Sequence, residues 1–499
     1  MMGCRWSVLA GLLLSGCAAL PGNGGEHPDA AELRGQVVPS RYIAQALGLE
    51  GDADDELLAG KQQVVVGAAL EDAWWSVFGS ADIDALVRRA LARNRSLNAA
   101  RHTLAQAEEL VTAERGLHAP EVDLAAGAGR ERYGAQALGG TPPRPPFGYV
   151  SVGPRVRYAL DLGGGVDHAV ERQLAFAERE RQQLRAAALA VSGNTVTRLL
   201  RSAALRDEIA LVEGLIELDR EEIALANAGL AAGGLTRLDV AAAEGMLAAD
   251  AARLPDLRQE LALDLDALAV LLGEAPADAA LPDIGLAQLT LPRRLPLSLP
   301  SELAQRRPDI RAAEAELREA LAAVGIARAN LYPRITLSAG YGQQAASPGK
   351  LFSAGASAWS LAGELVAPLF DGGRRRAQHQ ASAMGLRASA ARYQQTVLAA
   401  FGQVADALQS LDYGTQRLAA LDAACAASSE QLELMRRSQR EGQASRRQVL
   451  AAERNQRLAR LAQQRALGQR YLDSAQVMLA LGGGDGDALA VTADGLSGH

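Results

Sequence analysis

The 499-residue sequence states one pattern twice. Leu97 and Ile310, Pro120 and Pro333, and Gly127 and Gly340 are each 213 positions apart. Asp161-Leu162-Gly163 precedes Asp371-Gly372-Gly373 by 210. Gly233, Val240, Glu244 and Leu272-Gly273 precede Gly442, Val449, Glu453 and Leu481-Gly482 by 209. Ala-rich helical patterns align with one another by chance, but here the residues that hold register are largely those that start, stop and turn elements. Length alone would divide the chain into about three domains. The duplication implies one architecture of two similar halves, residues 73–273 and 301–482, joined by a linker at 274–300.

The repeated unit reads most plainly in the second half. Arg307-Pro308-Asp309-Ile310 is a helix start: Pro308 fits the first turn, where its missing N–H costs nothing, and Asp309 meets the positive end of the dipole. The helical pattern runs to Leu331, and Pro333 stops it. Ile335 to Tyr341 alternates as a strand. A second apolar stretch ends in Phe370-Asp371-Gly372-Gly373-Arg374, and a helical pattern then runs to about Arg440. In the first half, Asp82 is the predicted cap of a helix to Arg93, and Ser96 of one that reaches His118. From Asp167 to Asn227, and again from Arg374 to Arg440, there is no proline. Rods of about 60 residues are roughly 90 Å long, against about 8–20 residues for ordinary globular helices. Such rods need a partner. Gly233 and Gly442 turn the chain, Thr236 and Ser445 can cap returning helices, and these end at Leu272-Gly273 and Leu481-Gly482. Pro255 predicts a kink in the first return helix. Its counterpart is Gln464, so the halves should differ there. Five prolines between 274 and 300 mark the linker.

Two hairpins follow the two proline stops. Val150, Val152, Val156, Tyr158 and Leu160 alternate with Ser151, Gly153, Arg155, Arg157 and Asp161. Val122, Leu124, Ala126 and Ala128 alternate on the partner strand. The loops are Gly139 to Pro146 and Ser347-Pro348-Gly349-Lys350. Strands of about ten residues are long enough to cross a tilted bilayer path. They also suit a water-soluble sheet with one wet face. In a membrane, four strands would have to close by oligomerisation, because lipid leaves an open edge unsatisfied.

Residues 1–16 have the form of an export signal: Arg5, the apolar run Trp6 to Leu14, then small residues before Cys17. Leu14-Ser15-Gly16-Cys17 resembles the bacterial lipoprotein processing motif, in which the cysteine becomes the lipid-bearing first residue. An ordinary secretory signal with an incidental cysteine is the alternative. Residues 17–72 read as an extended, Gly- and Pro-spotted arm, and 483–499 as a tail. With Cys4 and Cys17 committed, Cys425 is left alone, which excludes a disulfide framework and suggests a small buried hydrophobe. The net charge of −7 carries no nucleic-acid footprint. Aromatic residues are 4% of the chain, which suits long helices packed through small side chains. Six histidines form no H-E-x-x-H pair, and no G-x-S-x-G elbow, Walker loop or C-x-x-C occurs. Gly163-Gly164-Gly165 has no Lys-Ser/Thr behind it and reads as a strand-to-helix turn, not a phosphate loop. Neither enzymatic chemistry nor a cofactor or metal is expected.

Arg307-Pro308-Asp309-Ile310 with Ala313-Glu314, Gly325 to Pro333, Phe370-Asp371-Gly372-Gly373-Arg374, and Leu238-Asp239-Val240 with Ala243-Glu244 together resemble the TolC family of outer-membrane efflux proteins. Leu14 to Cys17 fits its NodT/OprM-type lipoprotein branch. The resemblance spans roughly residues 70–482. It implies a mainly α fold with membrane strands: a homotrimer with a 12-stranded β-barrel in the outer membrane and an α-helical tunnel across the periplasm. It implies a periplasmic adaptor and an inner-membrane pump, commonly of the resistance-nodulation-division type, with the duct itself passive. A non-conducting, lipid-anchored periplasmic scaffold is the alternative function. The family closes its tunnel near the helix-turn-helix tips. Here the turn opens at Arg440, itself a gate candidate seven positions before Arg447. Of the family's positions, Gln439 stands where an aromatic residue is usual, Arg447 and Ala451 replace an apolar and an acidic residue, and Arg454 is the retained basic position. Arg447 and Arg454 lie one heptad apart and share a face of the return helix. That face is either a solvated exterior or a lumenal basic ring, for which Glu441 and Glu453 are candidate counter-charges.

Overall fold

The computed structural model describes Tyr42 and residues 62–68, 71–132 and 145–484. The export segment with Cys17, most of the first hairpin loop and nearly all of the tail lie outside these residues.

Two helices dominate, α3 (Gly165–Ala231) and α8 (Arg374–Arg440), each of 67 residues and about 100 Å long at 1.5 Å per residue. Both follow a glycine in the left-handed region, Gly164 (φ 68°) and Gly373 (φ 86°), in the short segment that leads from a strand to the helix. The aspartate of each motif satisfies the turn. The Asp161 carboxylate accepts from the N–H groups of Gly165 and Val166 at 2.6 and 2.7 Å, and Asp371 accepts from those of Gly373 and Arg375 at 3.1 and 3.2 Å. The donors that a phosphate would need are already used by the chain itself.

Ahead of α3 stand β1 (Gln63–Val66), α1 (Ala81–Arg93), α2 (Arg95–Arg115), β2 (Glu121–Glu131) and β3 (Phe147–Leu160). Behind it come α4 (Arg237–Ala251), α5 (Arg253–Leu271), β4 (Arg294–Leu297), α6 (Pro300–Arg306), α7 (Pro308–Ala329), β5 (Arg334–Ala345) and β6 (Ser357–Val366); α9 (Arg446–Ala480) follows α8. The expected asymmetry between halves is present. The first return helix breaks at Ala252, where Pro255 has no N–H for the carbonyl of Ala251. The second, with Gln464, runs unbroken for 35 residues. α3 packs on α2, α4, α5, α7 and α9, and α9 lies between α3 and α8.

Several local expectations change. α1 is capped by Ser80, whose side chain accepts from the N–H of Ile83, and not by Asp82. α2 is capped by Asn94, which accepts from the N–H of Leu97 at 3.0 Å, while the Ser96 hydroxyl donates to Asn94. Cys425 is half-buried on α8, not buried. The arm and the linker are also less separate than their composition implied. β1 of the arm pairs in parallel with β4 of the linker, from Gln63↔Arg294 to Val66↔Leu297.

That small sheet closes one side of the main core, which gathers Trp74, Phe78, Leu200, Leu272, Leu295, Leu411 and Tyr471. Gln62 donates there to the carbonyl of Pro292 and to Ser474 Oγ, both at 2.8 Å, and Tyr471 donates to the carbonyl of Leu289 at 3.0 Å. Arg470 is buried in the same core and donates to the carbonyl of Leu411 at 2.9 Å and to Thr415. Burial pulls its pKa down from the usual arginine value. A smaller cluster, with Val212, Leu215 and Leu461, continues the packing along α3 and α9.

Candidate functional site

Two places carry features beyond packing: the helix turns at Gly233 and Gly442, and the four-stranded sheet. Both turns place glycine in the left-handed region, at φ 75° and 76°. Both return helices start with reciprocal caps. Thr236 accepts from the N–H of Asp239 and its own N–H donates to the Asp239 carboxylate; Ser445 and Gln448 do the same. The hydrogen bonds from Thr236 hold the Asp239 carboxyl below the usual range.

Ion pairs cross between helices behind these turns. Arg447 Nε reaches Glu222 Oε1 of α3 at 2.7 Å, and its Nη1 lies 3.9 Å from Asp239 Oδ1 of α4. Arg446 pairs with Glu221 of α3 at 2.8 Å. Arg454 Nη1 stands 2.6 Å from both Asp219 of α3 and Asp250 of α4. Those two carboxylates are only 2% and 1% exposed, so a cation is required between them. Arg253 adds a more distant contact to Asp250, at 3.4 Å. Burial pushes the Asp219 carboxyl up to about 6, with Arg454 opposing the rise and Asp250 adding to it. Gln439 is half-buried, and Arg440 and Ala451 are exposed. Glu453, one of the two candidate counter-charges, instead pairs with Arg436 and Arg446 at 3.1 and 3.5 Å. The carboxylates that do meet Arg447 and Arg454 lie more than 200 positions earlier. Their signal in the sequence is slight: Asp219 and Asp250 are acids on Ala- and Leu-rich helices.

The sheet has the order β2-β3-β5-β6, all antiparallel. Register stacks like with like. Val122 and Leu124 lie opposite Val156 and Pro154; Leu160 lies opposite Ile335, and Ile335 opposite Leu365; Ala339 faces Leu361, and Tyr341 faces Trp359. Those positions share one face. On the other face Asp123 lies opposite Arg155, Glu121 opposite Arg157, and Thr336 opposite Glu364. Gly153 and Gly342 bring the two central strands together where a Cβ on Gly153 would stand 2.3 Å from the carbonyl oxygen of Tyr341. Among the described residues nothing covers the apolar face: Leu124, Trp359 and Leu361 are 78, 78 and 75% exposed. β2 and β6 each pair on one side only among the described residues. Among the described residues no helix is long and apolar enough to cross a membrane.

The family model of outer membrane efflux proteins matches residues 86–274 and 299–483, two blocks that straddle the proline-rich linker. The chain belongs to the outer membrane efflux protein family. It is 32% identical over 435 residues to outer membrane protein OprJ of Pseudomonas aeruginosa, covering 86% of this chain and 91% of that one. It is 29% identical over 415 residues to the solvent efflux pump outer membrane protein SrpC of Pseudomonas putida, covering 82% and 83%. Among solved structures, the outer-membrane channel OprN superposes with a TM-score of 0.78 at 28% identity, over 90% of this chain and 99% of that one. The open state of the Neisseria gonorrhoeae outer membrane channel MtrE gives 0.75 at 26% identity, over 89% and 96%. The mainly helical, TolC-like fold implied by the sequence is thus the fold of the chain.

Proposed function

We infer that this chain is the outer-membrane duct of a tripartite efflux system, passively carrying cargo that a periplasmic adaptor and an inner-membrane pump deliver. The observation that carries the reading is the sheet, which among the described residues has one bare apolar face, one charged face and two unpaired edges, and whose strands lead into helices about 100 Å long. Lipid rejects an open edge, so the sheet closes only with other copies. Three protomers give a 12-stranded barrel. The apolar face then meets lipid, the charged face lines the lumen, and the helices extend the lumen into the periplasm. The pump is of the resistance-nodulation-division type. Cys17 carries lipid that holds the arm at the outer membrane. Mass spectrometry of the mature N-terminus should find an acylated Cys17, and an unmodified start at Ala18 would remove the anchor.

The turns at Gly233 and Gly442 are the closing end. Arg447 is tied there to Glu222 and Asp239, and Arg454 to Asp219 and Asp250. These pairs hold α9 against α3 and α4. Conductance of the purified protein in planar bilayers tests the duct, since a scaffold conducts nothing. Arg447→Glu sets a third negative charge beside two carboxylates, so it should loosen the end and raise single-channel conductance several-fold. Conductance equal to wild type would take Arg447 out of the closure.

A further inference from the structure

The chain carries a second kind of surface where the sheet hands over to α8. Leu369 and Phe370 follow β6 and are 95 and 93% exposed. They lie in the seven-residue segment between the end of β6 at Val366 and the start of α8 at Arg374, past the Ile335–Leu365 rung in sequence. Within one helical turn come Arg374, Arg375 and Arg376, fanned about 100° apart around the first turn of α8. Arg374 and Arg376 are exposed. The first turn of α8 contains no acidic side chain. The nearby Asp371 carboxylate is occupied by two backbone N–H groups and lies 3.7 Å from Arg375 Nε. Three cations at a helix N-terminus have the wrong sign for the dipole and repel one another. Within the fold they cost stability, so an external anion would offset that cost. The equivalent handover in the first half, Asp161 to Asp167, has an exposed Leu162 but no arginine. The basic feature therefore belongs to the second half alone.

We propose that Leu369, Phe370, Arg374 and Arg376 form a docking belt for anionic phospholipids in the membrane leaflet nearer the long helices. The belt rests on the reading that the sheet lies in a membrane. Leu369 and Phe370 enter the acyl region, and the guanidinium groups, one turn further from the bilayer centre, pair with headgroup phosphates. Arginine suits that task because its planar fork bonds two phosphate oxygens at once. Phosphatidylglycerol offers the phosphate and a net negative charge, whereas phosphatidylcholine offsets its phosphate with its own cation.

The test uses the full-length protein in lipid nanodiscs, one set of phosphatidylcholine and one with about a third phosphatidylglycerol, an anionic content that makes the surface potential negative. Lipid retained by the protein is counted by native mass spectrometry, and thermal unfolding is followed in the same discs. Wild type should retain phosphatidylglycerol preferentially and unfold later in the anionic discs. Both effects should shrink as salt rises from about 0.05 to about 0.5 M and the Debye length shortens. The double variant Arg374→Gln/Arg376→Gln should lose about fivefold in that preference per arginine. Arg374→Lys/Arg376→Lys should keep most of it, which separates charge from misfolding. An unchanged preference in the glutamine variant overturns the belt. So does an unchanged lipid count accompanied by loss of a periplasmic protein partner, which would assign the arginines to that partner. Conductance in phosphatidylcholine bilayers reads the duct independently: its absence in wild type would remove the duct and leave the lipid count standing.

Discussion

Arg454 shows how much one side chain can decide. It sits on α9 and lies 2.6 Å from carboxylates on both α3 and α4. Replacing it with leucine leaves two buried carboxylates facing each other, at a cost of about 3 kcal/mol near neutral pH. Denaturant unfolding at pH 5 and pH 7.5 checks the value, and the cost should be smaller at pH 5, where one carboxylate can take up a proton. The native Asp219 gives a slope of its own. Its folded pKa of about 6 lies above the ordinary 3.8, so between those values the folded state binds more protons than the unfolded one. Stability contributed by this group therefore falls as pH rises across that window, and the full cost stands above it. Asp219→Asn should flatten the slope. A slope unchanged by that substitution would place its origin elsewhere. The heptad spacing of Arg447 and Arg454 was legible in the sequence, but the partners were not. Charge on a helix face is compatible with water, lumen or another helix, and only the packing of α9 against α3 and α4 selects among them.

At the scale of elements, long helices are held together where side chains vanish. A Cβ on Gly468 of α9 would stand 2.7 Å from the Cβ of Ala204 on α3, and one on Gly193 of α3 would stand 2.5 Å from the tip of Leu479. The two contacts differ in what can give way. Ala204 has no rotamer to change, so Gly468→Val should destabilise by about 2 kcal/mol through overpacking. Leu479 can rotate, and the gain in helix propensity of about 1 kcal/mol offsets its movement, so Gly193→Ala should be close to neutral. Thermal unfolding of both variants distinguishes these outcomes, and equal losses would refute the geometric account. The break at Ala252 was predicted from Pro255, because a missing N–H acts locally. The pairing of β1 with β4 was not predicted. Four-residue strands in Pro-spotted segments have too little periodicity to show, and their partners lie more than 200 positions apart.

For the whole molecule, the edges that β2 and β6 leave unpaired among the described residues set the requirement. The purified protein in detergent should be a trimer by light scattering or mass photometry, and a stable monomer would contradict closure of the sheet. The core does not depend on that closure. Trp74, Phe78 and Tyr471 are buried within one chain, so a protomer has a folded centre before its sheet finds partners.

The sequence by itself determined the duplicated order of elements, two helices of about 60 residues or more, the glycines at their turns and the alternation that gives the sheet two unlike faces. These follow from interactions within a few residues, where propensity, capping and periodicity act. Tertiary structure alone decided that Arg447 meets Glu222, that Arg454 divides itself between Asp219 and Asp250, and that the arm and the linker share a sheet. Each of those joins groups far apart in the chain, and an ion pair or a short strand leaves no periodic trace of its partner. Such contacts form only after the helices have been laid side by side.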